Sequence, residues 1–355
     1  MKRRMMYVIS SMSANGAERV MSLLVNKSCE QGNDVALVLV SRNIVSYSLD
    51  ERVQIKFVGA SNTFERIINL RKQMKQFKPD VVVSFLTTCN MYCCIAALGL
   101  GIPVVISERN DPIKDCPSSK RRLVRNIVYR FATGSVFQTE DAAKCFPEVI
   151  QRNAVVIPNP VKDNLPFADY TVHSREIVAA GRLTKQKNYP MMLEAFGLFR
   201  RKFPNYILKI YGEGEEKDTL QKLARALHIE TNVHFEGLVH DLHERIRTAS
   251  MYVLSSDYEG ISNSLLEAMS MGLPCISTDC PCGGSRHLIN SERNGLLVPV
   301  GDAKAFAAAM ERIASDSTFA ETLGKEAKKT RISHAETRII ANYFDYIEKI
   351  LVRTK

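Results

Sequence analysis

Two acidic residues, Glu259 and Glu267, stand with seven residues between them in Asp257-Tyr-Glu-Gly-Ile-Ser-Asn-Ser-Leu-Leu-Glu-Ala-Met-Ser-Met-Gly272. Carboxylates are poor partners for phosphate and good acceptors for sugar hydroxyls. The small residues between them, Gly260, Ser262, Asn263 and Ser264, are those of a helix mouth, where unpaired backbone N–H groups and a positive dipole end suit a phosphate. A stretch offering both fits a ligand that carries both, such as a sugar nucleotide. Ser264-x-x-Glu267 also spells a capping box, in which Glu267 would bond a backbone N–H at the helix start. The local sequence leaves both roles open.

Gly181-Arg182-Leu-Thr-Lys-Gln-Lys187-Asn188 places two long cations after another strand-like run. Arg182 and Lys187 form a natural clamp for a departing diphosphate, whereas Lys185 reads as solvated surface charge. Tyr211-Gly-Glu-Gly214 and Phe235-Glu-Gly237 add turns whose backbone at Gly212 and Gly237 can approach a ligand, and Thr278-Asp-Cys-Pro-Cys-Gly-Gly-Ser285 makes a fourth such loop. Near the start, Ser10-Ser-Met-Ser-Ala-Asn-Gly16-Ala-Glu-Arg enters a helix without the G-x-G-x-x-G fingerprint, which removes the support for a dinucleotide cofactor. Gly16 there offers close backbone approach.

The elements that must position these loops follow an alternating rhythm. Strand-like runs at Met6–Ser10, Val35–Val40, Gln54–Val58, Val81–Phe85, Val104–Ser107, Gly134–Gln138 and Val155–Pro158 are interleaved with helical patterns such as Ala17–Gln31, Phe64–Phe77 and Ser119–Phe131. After Pro158-Asn-Pro160 and a polar linker the rhythm restarts, with strands at Glu176–Ala180, Tyr206–Tyr211, Val233–Glu236, Met251–Leu254, Pro274–Thr278 and Leu296–Val298. Helices are expected at Tyr189–Lys202, Glu215–Leu227, His240–Ala249, through Glu267, at Ala303–Ser315, Thr318–Thr330 and Ala335–Val352. This predicts an α/β chain of two doubly wound domains, residues 1–165 and 166–334, with a last helix in 335–355 returning over the first. Open sheets of this kind bind ligands beyond the carboxyl ends of their strands. Two of them invite a cleft.

A chain of 355 residues with 45% hydrophobic content supports two such cores. The basic start reads as a first strand rather than a signal peptide, and the apolar run Met91–Ile106 falls short of the roughly 18 residues of a membrane span. Nine cysteines in loose spacing point to reduced thiols in a cytosolic protein; Cys280 and Cys282 lack a second pair at zinc-finger spacing, so no metal is expected. The net charge of +10 is uneven: residues 1–165 hold 23 Lys+Arg against 14 Asp+Glu, and the remainder 25 against 24. A basic first half calls for an anionic partner. Nucleic acid is disfavoured because no aromatic-basic module is present.

Taken in order, the Gly16 loop, Ile157-Pro-Asn159, Gly181-Arg182 with Lys187-Asn188, Tyr211-Gly-Glu-Gly214 and Glu259-x7-Glu267 resemble the retaining, nucleotide-sugar-dependent glycosyltransferases of family 4, which have the GT-B fold. The resemblance spans nearly the whole chain. It implies that Glu267 holds ribose hydroxyls and Glu259 those of the transferred sugar. Arg182 and Lys187 would then neutralise the leaving diphosphate, aided by amides of the Gly16 loop and of Ser262, Asn263 and Ser264. It also implies no cofactor and no divalent metal, because cations stand where a metal would.

Two places depart from the common pattern. Glu108-Arg-Asn-Asp-Pro112 stands where many relatives have a His near the sugar, so either Glu108 or Asn110 takes that position. His287 stands where relatives often carry Glu. A Glu in the first loop, combined with Asp279-Cys-Pro-Cys-Gly283, is similar to the branch that moves N-acetylated amino sugars onto lipid-linked glycans.

The expected donor is therefore a UDP sugar, the expected acceptor a lipid diphosphate-linked glycan of bacterial surface polysaccharide assembly, and the expected location the inner face of the cell membrane. The basic segments Phe64–Lys78 and Lys120–Arg130 put cations beside apolar faces that would dock on an anionic membrane. Rival readings are a nucleotide-sugar epimerase of the same fold and a non-catalytic binder of anionic lipid or nucleic acid.

Overall fold

The computed structural model describes residues 2–13, 16–171 and 174–354. The chain divides into two compact units, Met1–Pro160 with Thr337–Lys355, and Val161–Glu336.

The first unit holds β1 Arg4–Ile9, β2 Asp34–Leu39, β3 Gln54–Phe57, β4 Val81–Phe85, β5 Val104–Ser107, β6 Gly134–Phe137 and β7 Ala154–Val156. They form one parallel sheet in the order β3-β2-β1-β4-β5-β6-β7. The Val-rich runs of β4 and β5 are wholly buried because helices cover both faces, as a parallel sheet requires. One of those covers is the helix Glu336–Arg353, whose Ile339, Tyr343, Ile347 and Ile350 recur at helical spacing and enter the core beside Tyr7, Val83 and Val105. Tyr346 of the same helix accepts from the Ser135 N–H at 2.9 Å and donates to the Asn153 carbonyl.

The second unit holds β8 Glu176–Ala180, β9 Ile207–Tyr211, β10 Val233–Gly237, β11 Met251–Leu254, β12 Cys275–Thr278 and β13 Leu296–Val298, again parallel, in the order β10-β9-β8-β11-β12-β13. Alternate residues of the strands feed two cores. Ile177, Ile210 and Val253 meet Phe196, Phe199, Phe306 and Met310 on one face; Val178, Tyr252 and Leu254 meet Leu265, Leu266 and Met269 on the other.

Strand order reverses between β1 and β4 in the first unit and between β8 and β11 in the second. Loops leaving either pair diverge and leave a crevice at the carboxyl ends. The two parallel α/β sheets match the expectation from sequence.

Local differences are small. The helix expected over 240–249 is shortened to Leu242–Ile246, and the loop ending at Ser285 instead enters a short helix, Gly284–Leu288. The helix expected over 318–330 breaks into Ser317–Ala327 and Thr330–Ser333. Among the described residues no helix is long and apolar enough to cross a membrane.

Candidate functional site

The second unit's switch point gathers most of the residues singled out by sequence. After β8 the chain passes Gly181 and the exposed Arg182, then a 3-10 turn, Lys185–Lys187. Asn188 follows in the left-handed region at φ 42°, and its side chain accepts from the Met191 N–H to start the helix Tyr189–Arg200. Asn tolerates that conformation better than most residues. Its amide then reaches across to Asp257 Oδ1 at 2.6 Å.

Three more bonds stitch this turn to the loop after β11. The Asp257 N–H donates to the Gln186 carbonyl at 2.9 Å, Gln186 Nε2 donates to the Tyr258 carbonyl at 2.9 Å, and Ser255 Oγ donates to the Lys187 carbonyl at 2.7 Å. At the centre Lys187 Nζ pairs with Glu259 Oε1, to which Ser256 Oγ also donates at 3.0 Å. The pair is largely buried, with side-chain exposures of 11% and 12%. Two desolvated charges of this kind persist only when tightly paired and further hydrogen-bonded.

Glu267 is buried within the helix Asn263–Met271. The helix N-cap is Ser262, so Ser264 is its second residue and the capping-box register read from the sequence is not adopted. The Glu267 carboxylate meets His243 Nε2 at 2.9 Å and lies 3.6 Å from Lys162 Nζ. Neither partner was found by sequence reasoning. His243 lies in the short helix Leu242–Ile246 and Lys162 in the linker, and no spacing rule ties them to position 267.

The remaining loops close around this centre by backbone contact. Gly212 has φ +137°, and a Cβ there would strike the Gly181 carbonyl; one on Gly284 would strike the carbonyl of Gly260. The Gly212 N–H donates to the Gly237 carbonyl at 2.8 Å, so this turn offers close backbone approach rather than a free donor. Cys280 donates to the Ser256 carbonyl at 3.2 Å, and burial pushes its thiol up to about 12, so it serves as packing rather than as a nucleophile.

The first unit carries the other two candidates. Gly16 is the first residue of the helix Gly16–Glu30; Ala14 and Asn15 of its loop lie outside the described residues. Glu108, just beyond β5, is 3% exposed. It accepts from Thr87 Oγ1 at 2.9 Å, from Asn90 Nδ2 at 3.4 Å and from the Tyr129 hydroxyl. Burial raises its pKa against the opposing pull of Tyr129, Arg125 and Thr87. Asn110 is half-buried and donates to Asp115 Oδ1 at 3.3 Å.

Arg109 turns to the other side of the sheet, donating to the Tyr343 hydroxyl at 2.6 Å and to Asn159 and stacking 4.8 Å over Phe85. Asn159, part of the Ile157-Pro-Asn159 motif, also accepts from Gln138 at 2.6 Å. That motif residue therefore anchors the first unit's own strand ends.

Comparisons with known proteins agree with this architecture. Residues 14–165 match the family described as Glycosyltransferase Family 4, and residues 171–330 the family described as Glycosyl transferases group 1. The chain is 28% identical over 337 residues, 91% of its own length and 92% of the other's, to a protein of Campylobacter jejuni named GalNAc-alpha-(1->4)-GalNAc-alpha-(1->3)-diNAcBac-PP-undecaprenol alpha-1,4-N-acetyl-D-galactosaminyltransferase. It is 22% identical to the amylovoran biosynthesis glycosyltransferase AmsD of Erwinia amylovora, over 94% of this chain and 96% of that one. Its fold superposes with a TM-score of 0.84, at 16% identity and covering 98% and 99% of the two chains, on Anabaena Alr3699/HepE, whose crystal holds UDP and glucose. The chain belongs to the glycosyltransferases of the GT-B type, its first domain in family 4 and its second in group 1.

Proposed function

We propose that this glycosyltransferase moves an N-acetylated hexosamine from a UDP sugar to a lipid-linked glycan acceptor with retention of anomeric configuration. The observation that carries this is the Lys187–Glu259 pair at the β8/β11 switch point, with the exposed Arg182 on the same loop as Lys187 and the buried carboxylate of Glu267 on the following helix. Support for the substrates comes from the Campylobacter relative, named for N-acetylgalactosamine transfer to an undecaprenol diphosphate glycan, and from the fold neighbour that holds UDP.

In this reading Glu267 accepts from the ribose hydroxyls and Glu259 from those of the transferred sugar. Lys187 and Arg182 face the diphosphate, with the amides at Ser262, Asn263 and Ser264 adding the helix dipole. The bond from the sugar C1 to the β-phosphate oxygen breaks, and a bond from C1 to the acceptor oxygen forms on the same face. The acceptor proton passes to the departing phosphate. Negative charge grows on that phosphate in the transition state, which is where fixed cations lower the barrier most. Cations replace a divalent metal here; within the first unit Gly16 offers its amide at a helix start and Glu108 holds the acceptor-side loop. The enzyme works at the cytoplasmic face of the membrane in surface polysaccharide assembly.

The test is incubation of the purified chain with UDP-N-acetylhexosamines and a lipid diphosphate-linked glycan, following UDP release and the anomeric configuration of the product. Transfer with retention that survives a chelator is expected. An inverted product, loss of activity in chelator, or conversion of the sugar nucleotide without acceptor, as an epimerase would give, contradicts it.

A further inference from the structure

The helix Ser119–Val128 in the first unit turns most of its apolar residues outward. Its inward residues are Val128 and Arg125, the latter 1% exposed, donating to the Pro112 carbonyl at 2.5 Å and stacking 4.3 Å over the Phe146 ring. Its outward residues are Leu123, Val124 and Ile127, with exposures of 63%, 50% and 48%, continued by Phe131 at 54%. A helix that faced only water would reverse this arrangement.

The charges beside this stripe have one sign. Lys120, Arg121, Arg122 and Arg130 flank it, and no acidic residue occurs from Cys116 to Thr139. Arg121 is held by Thr88 Oγ1 at 2.8 Å and Arg122 by the carbonyls of Cys116 and Pro117, and among the described residues none of the four cations has a carboxylate partner. The other basic segment named from sequence behaves differently. The helix Thr63–Phe77 buries Leu70, Met74 and Phe77 and its Arg71 caps the carbonyls of Ala96 and Leu98; it exposes Phe64 and Ile68, but its inward face is apolar and Glu65 stands beside Phe64, so its charges are not of one sign.

We infer that the outward face of Ser119–Val128, with Phe131, docks on a bilayer of anionic phospholipid. Leu123, Val124, Ile127 and Phe131 enter the interface while the flanking cations meet the headgroups. The charge pattern selects this occupant. A second copy of the chain placed on the face by a two-fold axis would set cations against cations, and a nucleic acid would leave the apolar stripe uncovered. The inference extends the reading of a lipid-linked acceptor and rests on it only for its purpose, since the surface itself owes nothing to the donor site.

Vesicles of phosphatidylcholine alone and with phosphatidylglycerol, containing no acceptor and no nucleotide sugar, test it on the full chain. The chain has no tryptophan, so Leu123→Trp reports insertion against no background. Its emission is expected to shift to the blue with the anionic vesicles and not with the neutral ones. In co-sedimentation, Lys120→Gln and Arg121→Gln are expected to weaken binding roughly fivefold each. Leu123→Ser with Ile127→Ser is expected to abolish it, while unfolding temperature and its rise with UDP stay as in the parent. Equal binding by that double variant, or an emission shift caused by self-association in the absence of vesicles, overturns the inference. A missing response to UDP with vesicle binding intact would instead count against the donor reading alone.

Discussion

Lys187 and Glu259 form a buried ion pair between two loops that leave neighbouring strands 72 positions apart in the chain. The pair joins the residue proposed to face the leaving diphosphate to the one proposed to hold the sugar. An incoming donor meets a lysine already oriented by a carboxylate, and a carboxylate already desolvated. Ordering these side chains before the ligand arrives lowers the cost of binding and of reaching the transition state.

Removing one partner should leave the other charge buried without compensation. Lys187→Ala is expected to lose about 3 kcal/mol or more of stability, whereas Lys187→Ala with Glu259→Ala should lose less than the sum of the singles. Urea unfolding of the four proteins measures this. Strict additivity would show that the pair is not coupled.

Arg182 separates function from folding. It is exposed and makes no side-chain hydrogen bond or ion pair among the described residues, so Arg182→Ala should leave stability within about 0.5 kcal/mol of the parent. Turnover should fall by about a hundredfold, with a smaller change in KM. Unchanged turnover would remove Arg182 from the diphosphate clamp.

Gly212 sets the spacing between the loops after β8 and β9. Its φ of +137° and the Gly181 carbonyl opposite leave no room for a Cβ. Gly212→Ala should cost about 1–3 kcal/mol, displace the Gly181-Arg182 turn and weaken UDP binding. Calorimetric titration of a still-folded Gly212→Ala with UDP at parental affinity would show that the turn is not part of the site.

Glu108 ties stability to pH. Burial raises its folded pKa, so the folded chain binds this proton more tightly than the unfolded one. The stabilisation is full below the unfolded pKa and is lost as pH rises through the raised folded value. Glu108→Gln, which has no proton to lose, should therefore gain stability relative to the parent as pH rises above the unfolded carboxyl value of about 4. Unfolding midpoints across that range decide it, and a difference that is flat or that falls with pH would contradict the buried-carboxylate reading.

Much of the fold was legible in the order of apolar runs. Stretches such as Val81–Phe85 and Met251–Leu254 are too short and too apolar to be anything but buried strands, and each is followed by residues at helical spacing. Glu259, Arg182 and Lys187 were legible as loop residues at strand ends. Their pairing was not, because the contact depends on β8 and β11 being neighbours in space rather than in sequence. His243 and Lys162 beside Glu267 were hidden for the same reason. Glu267 looked like a capping residue only because helix starts are read from short patterns, and the chain begins this helix at Asn263, with Ser262 as its cap. Arg125 was read as one more surface cation, yet it lies inside while Leu123 and Ile127 lie outside, a reversal that composition alone does not reveal.

Thermal unfolding of the full chain in UDP, beside Glu267→Ala, tests the central claim most directly. UDP at a hundred times its Kd should stabilise the parent by about 2.7 kcal/mol and leave Glu267→Ala unmoved. No rise in the parent with UDP, GDP or ADP would contradict a nucleotide-sugar site in the second unit, and an equal rise in Glu267→Ala would contradict the part given to Glu267.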